Sequence, residues 1–445
     1  MPGLNQILRK SSRIGSGNIL SGAQVLGEDN GNLIDFPRIP TGIFPVDYAS
    51  GGGIPCNQPT QLYGLYQGGK STLAYLIAKN LTKTCMRCLQ PVALCKCVDP
   101  DFIDVCPTCG KPAGECSHKT ELVEKCDTCK KGRLDCECGS RLIQKTFLCH
   151  LEGLPPDELY FNTLGYDTQD NLIIGIPEYG EQACEMVEAA IRADDCGLVI
   201  MDSIAALLPK AELDGAYEDF QVGAQSRLVS KLFRRISSLL VREFRRGHLV
   251  GLIFINQVRA NIGAGKWEPS EKTPGGLAAK HGHRLSMRVN QLSVDSDKGE
   301  KDKADGMKNV ARFSVSFLGA ESKQQVLILA GKAEYKIVLR DWEGYESGAC
   351  LDAGAAIAVA KEIGMLEKTP RGYELKGADM IFRVLSDIEE MFRTGRYVEA
   401  ASGEVLEGGD DIFRYFVVQR AKKLAVESIM NRSEIRVNMI SNPQG

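Results

Sequence analysis

The chain has 445 residues, 43% of them hydrophobic and 25% charged, enough for one enzyme-sized core with one or two smaller units. Its 54 Lys and Arg face 57 Asp and Glu, which excludes a generally cationic nucleic-acid binder and leaves any such contact to local basic patches. The opening MPGLNQILRKSSRIGSG has no apolar stretch of signal-peptide length, and no run approaches the roughly 20 residues that cross a bilayer, so a cytoplasmic protein without a membrane partner is expected.

The first motif in chain order is QLYGLYQGGKSTLAYLIAKN, which contains Gly64-x4-Gly69-Lys70-Ser71 between an apolar strand pattern and a helical periodicity. In that context the glycines, Gly68 included, let backbone N–H groups curl round a β-phosphate at a helix N-terminus. Lys70 then reaches the β- and γ-phosphates, and Ser71, followed by Thr72, offers a hydroxyl to Mg2+. A nucleoside triphosphate with Mg2+ is the predicted ligand pair, and the resemblance described below makes the nucleotide ATP.

Twelve of the 16 cysteines fall between Cys85 and Cys149. CMRCLQPVALCKC (85–97), CPTCGKPAGECSH (106–118) and CDTCKKGRLDCEC (126–138) align without a gap, at periods of 21 and then 20 residues. Each copy supplies four ligands: Cys85, Cys88, Cys95 and Cys97; Cys106, Cys109, Cys116 and His118; Cys126, Cys129, Cys136 and Cys138. A disulfide cannot use His118, whereas tetrahedral Zn2+ accepts three thiolates and an imidazole as readily as four thiolates. About three Zn2+, one per copy, are expected in a structural role, since a filled set of four ligands leaves no open position for catalysis. An iron–sulfur cluster or a redox dithiol is the alternative. Ten Lys or Arg against nine Asp or Glu over residues 85–145 give no evident phosphate-tracking surface. Cys56, Cys184, Cys196 and Cys350 read as small buried hydrophobes.

GLVIMDS (197–203) is apolar up to Asp202, as a strand buried on both faces of a parallel sheet should be. Asp202 then stands at the carboxyl end of its strand, placed to hold the water shell of magnesium. EDFQVGAQSRLVSKLFRRISSLLVREFRR (218–246) predicts a helix with Val229, Leu232, Phe233, Ile236 and Leu240 on one face. Arg227, Ser230 and Arg234, spaced i, i+3, i+7, share the opposite face and suit successive phosphates of one strand; a solvated outer face is the alternative. QVRANIGAGKWEPSEKTPGGLAAKHGHR (257–284) is a long, glycine-rich, basic loop in which Arg259 and Lys280 add charge. Trp267 suits either base stacking or a subunit contact. His281 and His283 lack a neighbouring carboxylate or thiol and read as polar loop histidines. DMIFRVLSDIEEMF and IFRYFVVQRAKKLAVESIM (412–430) predict two amphipathic helices in a small C-terminal α/β domain, 346–445.

KTFLCHLEG (145–153), MDSIAALLPKAEL (201–213) and LIFINQVRANIG (252–263), following the phosphate loop in order, closely resemble the RecA-type bacterial recombinases. The similarity runs from about residue 41 to 345 and reappears in GMLEKTPRGYELKG (364–377). It implies an α/β fold: a RecA-like ATPase core (41–345) with a mainly parallel central sheet, interrupted by the cysteine-rich insertion (85–144), and a filament-docking segment at 1–40. By the resemblance, Glu152 orients and deprotonates the attacking water, Gln257 senses the γ-phosphate, and Tyr160, with Asp157 beside it, stacks on adenine. Lysines from a neighbouring subunit reach the phosphate in this family. Lys323 matches one of them, but the second position is Gln325, so the pattern is broken there; for Lys323 a solvated surface charge is the alternative.

The resemblance also makes Val222, Gly223, Arg227, Ser230 and Arg234 strand-contacting positions. Gly275 and Gly276 become backbone contacts to phosphate, and Ile262 the apolar wedge between base triplets. In the bacterial members an acidic tail restrains duplex binding; the stretch EIRVNMISNPQG is not acidic, so the resemblance does not carry that restraint over. What it implies for the whole is a DNA-dependent ATPase that polymerises as a homo-oligomeric helical filament on single-stranded DNA and pairs it with homologous double-stranded DNA. A ring-forming helicase or branch-migration ATPase on the same core, or an ATP-switched DNA-binding scaffold, is the alternative.

Overall fold

The computed structural model describes residues 37–86, 88–95, 102–105, 123–126, 143–216, 223–260, 271–276, 282–295, 309–317, 327–399 and 402–441. Lys323, Val222, Ile262, Trp267, Lys280 and His281 lie outside them, as do Cys97, Cys106, Cys109, Cys116, His118, Cys129, Cys136, Cys138 and the segment before residue 37.

Eight strands build the central sheet: β1 (Pro59–Gly64), β2 (Lys145–His150), β3 (Leu172–Gly175), β4 (Cys196–Asp202), β5 (Gly251–Gln257), β6 (Leu285–Asp295), β7 (Val310–Ser316) and β8 (Lys332–Val338). Their order across the sheet is β8-β7-β6-β1-β5-β4-β2-β3. From β6 to β3 every pairing is parallel, while β6-β7 and β7-β8 are antiparallel. Residue patterning explains the division. All seven residues of β4 and all six of β1 are buried, as strands covered on both faces must be, whereas KAEYKIV in β8 alternates exposed and buried at its start, as suits a strand with one wet face.

Helices cover both faces. α1 (Phe44–Ser50), α2 (Lys70–Leu81), α3 (Glu158–Thr163), α4 (Gly180–Arg192) and α5 (Ala224–Arg245) belong to the core. The predicted apolar face of α5 is buried throughout and packs with Val187 and Ile191 of α4 and with Phe254 of β5. Arg227 and Arg234 are exposed and Ser230 half-buried, so the two predicted faces are separated as the 3.6-residue period requires. Arg235 of α5 donates to Glu188 of α4 at 2.8 Å, and with Arg192 it holds the Glu188 carboxyl below the usual carboxylate range.

α6 (Ala353–Glu362), α7 (Leu385–Thr394) and α8 (Gly409–Ser441) form the C-terminal unit together with a three-stranded antiparallel sheet, Leu366–Thr369, Gly372–Leu375 and Met380–Phe382. Here one expectation is corrected. DMIFRVLSDIEEMF is not one helix: Met380–Phe382 pairs with Tyr373–Leu375, and α7 starts only at Leu385, where the Asp387 carboxylate accepts from the Val384 amide at 3.0 Å. An apolar triplet beside a hairpin gains more from a ladder than from extending a helix, and the cap sets the boundary. The unit is seated on α1 through Phe44, which is part of its apolar cluster.

His283 is corrected too. It is fully buried, with its ring 4.9 Å from that of Phe233 and 5.8 Å from that of Phe254. A histidine next to a basic loop reads as polar, but this one sits where the chain has already turned into the core ahead of β6. Cys56, Cys184 and Cys196 are buried as expected. Among the described residues no helix is long and apolar enough to cross a membrane.

Candidate functional site

Parallel register brings the functional residues together. Gly64 at the end of β1 lies opposite Gln257 at the end of β5, and Asp202 at the end of β4 lies opposite His150 at the end of β2. The carboxyl ends of four adjacent strands therefore open into one region, where doubly wound sheets bind ligands. β2 stops at His150, and Glu152 stands exposed on the turn beyond it.

A cavity of about 410 Å³ occupies this place, lined by Gly68, Gly69, Lys70, Ser71, Thr72, Glu152, Tyr160, Asp202 and Gln257. Gln291 and Phe313, which no motif singled out, also line it; they come from the distant strands β6 and β7, and only the sheet order places them there. Gly69 begins α2 at φ 86°, and a Cβ there would lie 2.3 Å from the Phe313 ring. Gly64 does not line the cavity, and a Cβ on it would meet the Val289 carbonyl oxygen at 2.3 Å. These two glycines are dictated by space as well as by dihedral angle. Gly69→Ala should push the Phe313 ring aside and weaken nucleotide binding by at least about tenfold, as read by nucleotide titration. Trimming Phe313 to Ala in the same chain should restore part of the loss.

Ser71 Oγ donates to Asp202 Oδ2 at 2.7 Å, with Tyr75 OH behind it at 3.4 Å. Burial raises the Asp202 carboxyl pKa, the Ser71 bond works against the rise, and the nearby Glu152 carboxylate adds to it. Lys70 Nζ donates to the Leu65 carbonyl at 2.7 Å. Burial lowers its pKa, while Asp202 and Glu152 oppose the shift. A hydroxyl beside a buried carboxylate, with a lysine immediately before it on the same helix turn, is a donor set fitted to Mg2+ and phosphate oxygens. Thr72 Oγ1 and Tyr160 OH are 2.8 Å apart, so the expected base-stacking residue is tied to the phosphate loop. Asp157 stands beside Tyr160, at the start of α3. It is exposed and does not line the cavity; its Oδ1 accepts from the Tyr160 amide at 2.9 Å and caps α3, the helix that carries Tyr160.

Glu152 is held from two sides. Gln257 Nε2 donates to its Oε1 at 2.8 Å, and Ser203 Oγ donates to the same oxygen. Ser203 was missed in the sequence, where its position directly after Asp202 was the available signal. Beyond Gln257, Asn256 Nδ2 donates to the Pro274 carbonyl at 3.0 Å, which ties the end of β5 to the segment holding Gly275 and Gly276. Gly275 is buried and Gly276 exposed. A Cβ at Gly276 would lie 3.1 Å from Ser226 Oγ on α5, so this segment rests on the helix that presents Gly223, Arg227 and Arg234. Arg259 is exposed just past β5.

The first cysteine copy follows α2 directly. Thr84–Cys85 and Gln90–Pro91 form a hairpin, and the Sγ atoms of Cys85, Cys88 and Cys95 lie within 4.8 Å of one another. Cys88 and Cys95 Sγ are 3.7 Å apart. That is far beyond a disulfide, and it matches the edge of about 3.8 Å of a tetrahedron with metal–sulfur bonds of about 2.3 Å. These three thiols could therefore hold a metal ion. The copy also docks: Leu94 packs against the C-terminal apolar cluster, and Gln90 Nε2 reaches Tyr415 OH of α8 at 3.4 Å. Farther on, Phe102–Val105 pairs antiparallel with Val123–Cys126, on either side of the second copy.

The sheet order, the phosphate loop and the carboxylates at the strand ends define an α/β nucleotide-binding protein with a RecA-like phosphate-loop core. A model of the RecA N-terminal domain matches residues 150–320, beginning just after the cysteine-rich insertion. "Protein RecA" of Heliobacterium modesticaldum is 30% identical over 252 residues, covering 57% of this chain and 65% of that protein. "Protein RecA" of Aquifex pyrophilus is 31% identical over 269 residues, covering 60% and 58%. "Protein RecA" of Solidesulfovibrio magneticus is 27% identical over 395 residues, covering 87% and 91%. Over these spans the chain is similar to members of the RecA family. It spans about three fifths of the length of the first two of these relatives.

Proposed function

We propose that the protein is a RecA-type recombinase: a DNA-dependent ATPase that polymerises on single-stranded DNA and pairs it with a homologous duplex. The observation that carries this reading is the shared hold on Glu152, one carboxylate oxygen bonded both to Ser203, beyond the Asp202 strand, and to Gln257, which leads into the basic loop. Lys70, Ser71 and Asp202 would hold the triphosphate and its Mg2+, which supplies charge neutralisation for the phosphate oxygens. Glu152 orients water and accepts its proton. Gln257 has a single carboxamide to share between Glu152 and a phosphate oxygen, so nucleotide state and loop position are alternatives at one side chain. Arg227, Ser230, Arg234, Arg259, Gly275 and Gly276 supply the DNA-facing surface, and Lys323 the contact from the neighbouring subunit.

Strand exchange between homologous substrates, measured beside ATP turnover with and without single-stranded DNA, tests the reading. DNA-stimulated turnover with exchange and open helical filaments in electron microscopy supports it. DNA protection without exchange, or closed rings, would sink it.

In the same reading the insertion holds about three Zn2+, one for each four-ligand copy, and acts structurally. Metal analysis of the purified protein should return about three zinc per chain, and Cys88→Ser about two, because each copy binds separately. Iron in place of zinc, or an unchanged zinc count in Cys88→Ser, is the contrary result.

A further inference from the structure

Gln225 is the second residue of α5, two positions after Gly223 and two before Arg227. Its Nε2 lies 3.1 Å from the carbonyl oxygen of Ile204 and 3.2 Å from those of Ala205 and Leu207. One amide group has two hydrogens for these three acceptors, so the whole turn is gathered round a single side chain. The turn starts immediately after Ser203, and Ser203 Oγ holds Glu152. Gln225 does not line the nucleotide cavity.

A continuous polar path thus runs from the start of α5, through the carbonyls of Ile204, Ala205 and Leu207, to Ser203 and the Glu152 carboxylate that lines the cavity. We infer that Gln225 is a positioning residue through which DNA engagement on α5 sets the placement of Glu152. Hydrogen bonds weaken steeply with angle and distance, so a small shift at the start of α5 is passed to Ser203 as a change in how firmly Glu152 is held. Displacing a catalytic group by about 1 Å costs on the order of 100-fold in rate, which makes this connection a sufficient lever. The inference rests on the proposed DNA-dependent ATPase activity.

Gln225→Met keeps the length and removes the donor. It is compared with the parent for ATP turnover at saturating single-stranded DNA and without DNA, for DNA affinity and for thermal stability. The expected result is a stimulation ratio lower by at least about tenfold with DNA affinity changed by less than about threefold. Gln225→Glu, which turns an acceptor toward the same carbonyls, should lose stimulation in the same way, and hydrogen exchange at residues 204–207 should rise in both. An undiminished ratio in both variants, or a ratio lost only in step with DNA affinity, overturns the inference. A parent protein that DNA does not stimulate instead overturns the proposed function.

Discussion

Glu152→Gln should bind ATP and assemble like the parent but hydrolyse roughly 10²- to 10⁴-fold more slowly, the usual contribution of a positioned general base. The geometry explains why the defect should be confined to chemistry. Ser203 Oγ and Gln257 Nε2 both donate to Oε1 of Glu152, and a glutamine oxygen at that position accepts from both as a carboxylate oxygen does. What disappears is the capacity to take a proton from water. Filaments formed with ATP should therefore persist, because the triphosphate that favours the gripping state is consumed slowly. Phosphate release and the lifetime of filaments after dilution measure the two halves. Hydrolysis at the parent rate would show that Glu152 is not the base.

Arg414→Met should destabilise the protein by about 3–5 kcal/mol, the cost of leaving buried carboxylates without their counter-ion. The Arg414 side chain is only 9% exposed; it donates to Asp352 at 2.9 Å, to Asp411 at 3.3 Å and to Asp410, and its guanidinium lies 4.6 Å from the Phe392 ring centre. Asp352 in turn accepts the Phe44 amide at 2.7 Å, so this cluster fastens the C-terminal unit to α1 of the core. Asp352→Asn should cost less, since Arg414 keeps Asp410 and Asp411 and the new carboxamide oxygen still accepts from Phe44. Arg414→Lys should not restore stability, because an ammonium cannot reproduce the planar, forked set of bonds. Thermal unfolding of the three variants checks the order. Equal losses in Arg414→Met and Asp352→Asn would mean that packing, rather than charge, is at stake.

The phosphate loop, the strand ending in Asp202 and the apolar face of α5 were all legible in the residues, because each depends on neighbours within one element: a glycine-rich turn, an unbroken apolar run, a 3.6-residue period. Gly275 and Gly276 came from the resemblance, and the structure sets Gly276 against Ser226 of α5, the helix that carries Arg227 and Arg234. The departures have a common form. His283 joins an aromatic core and Met380–Phe382 pairs with a strand, each because a partner outside its own motif decided the outcome.

By itself the sequence determined which chemical groups are present and on which kinds of element they ride, including the three-sulfur set of the first cysteine copy, since ligand spacing within a hairpin is a local property. The tertiary structure alone decided that Phe313 closes over Gly69, that Ser203 and Gln257 share one oxygen of Glu152, that Gln225 gathers the turn next to it, and that the first copy docks on α8. The physical reason is that strand order and register bring together residues separated by tens to hundreds of positions, and contacts of that range leave no periodicity in the chain to be read.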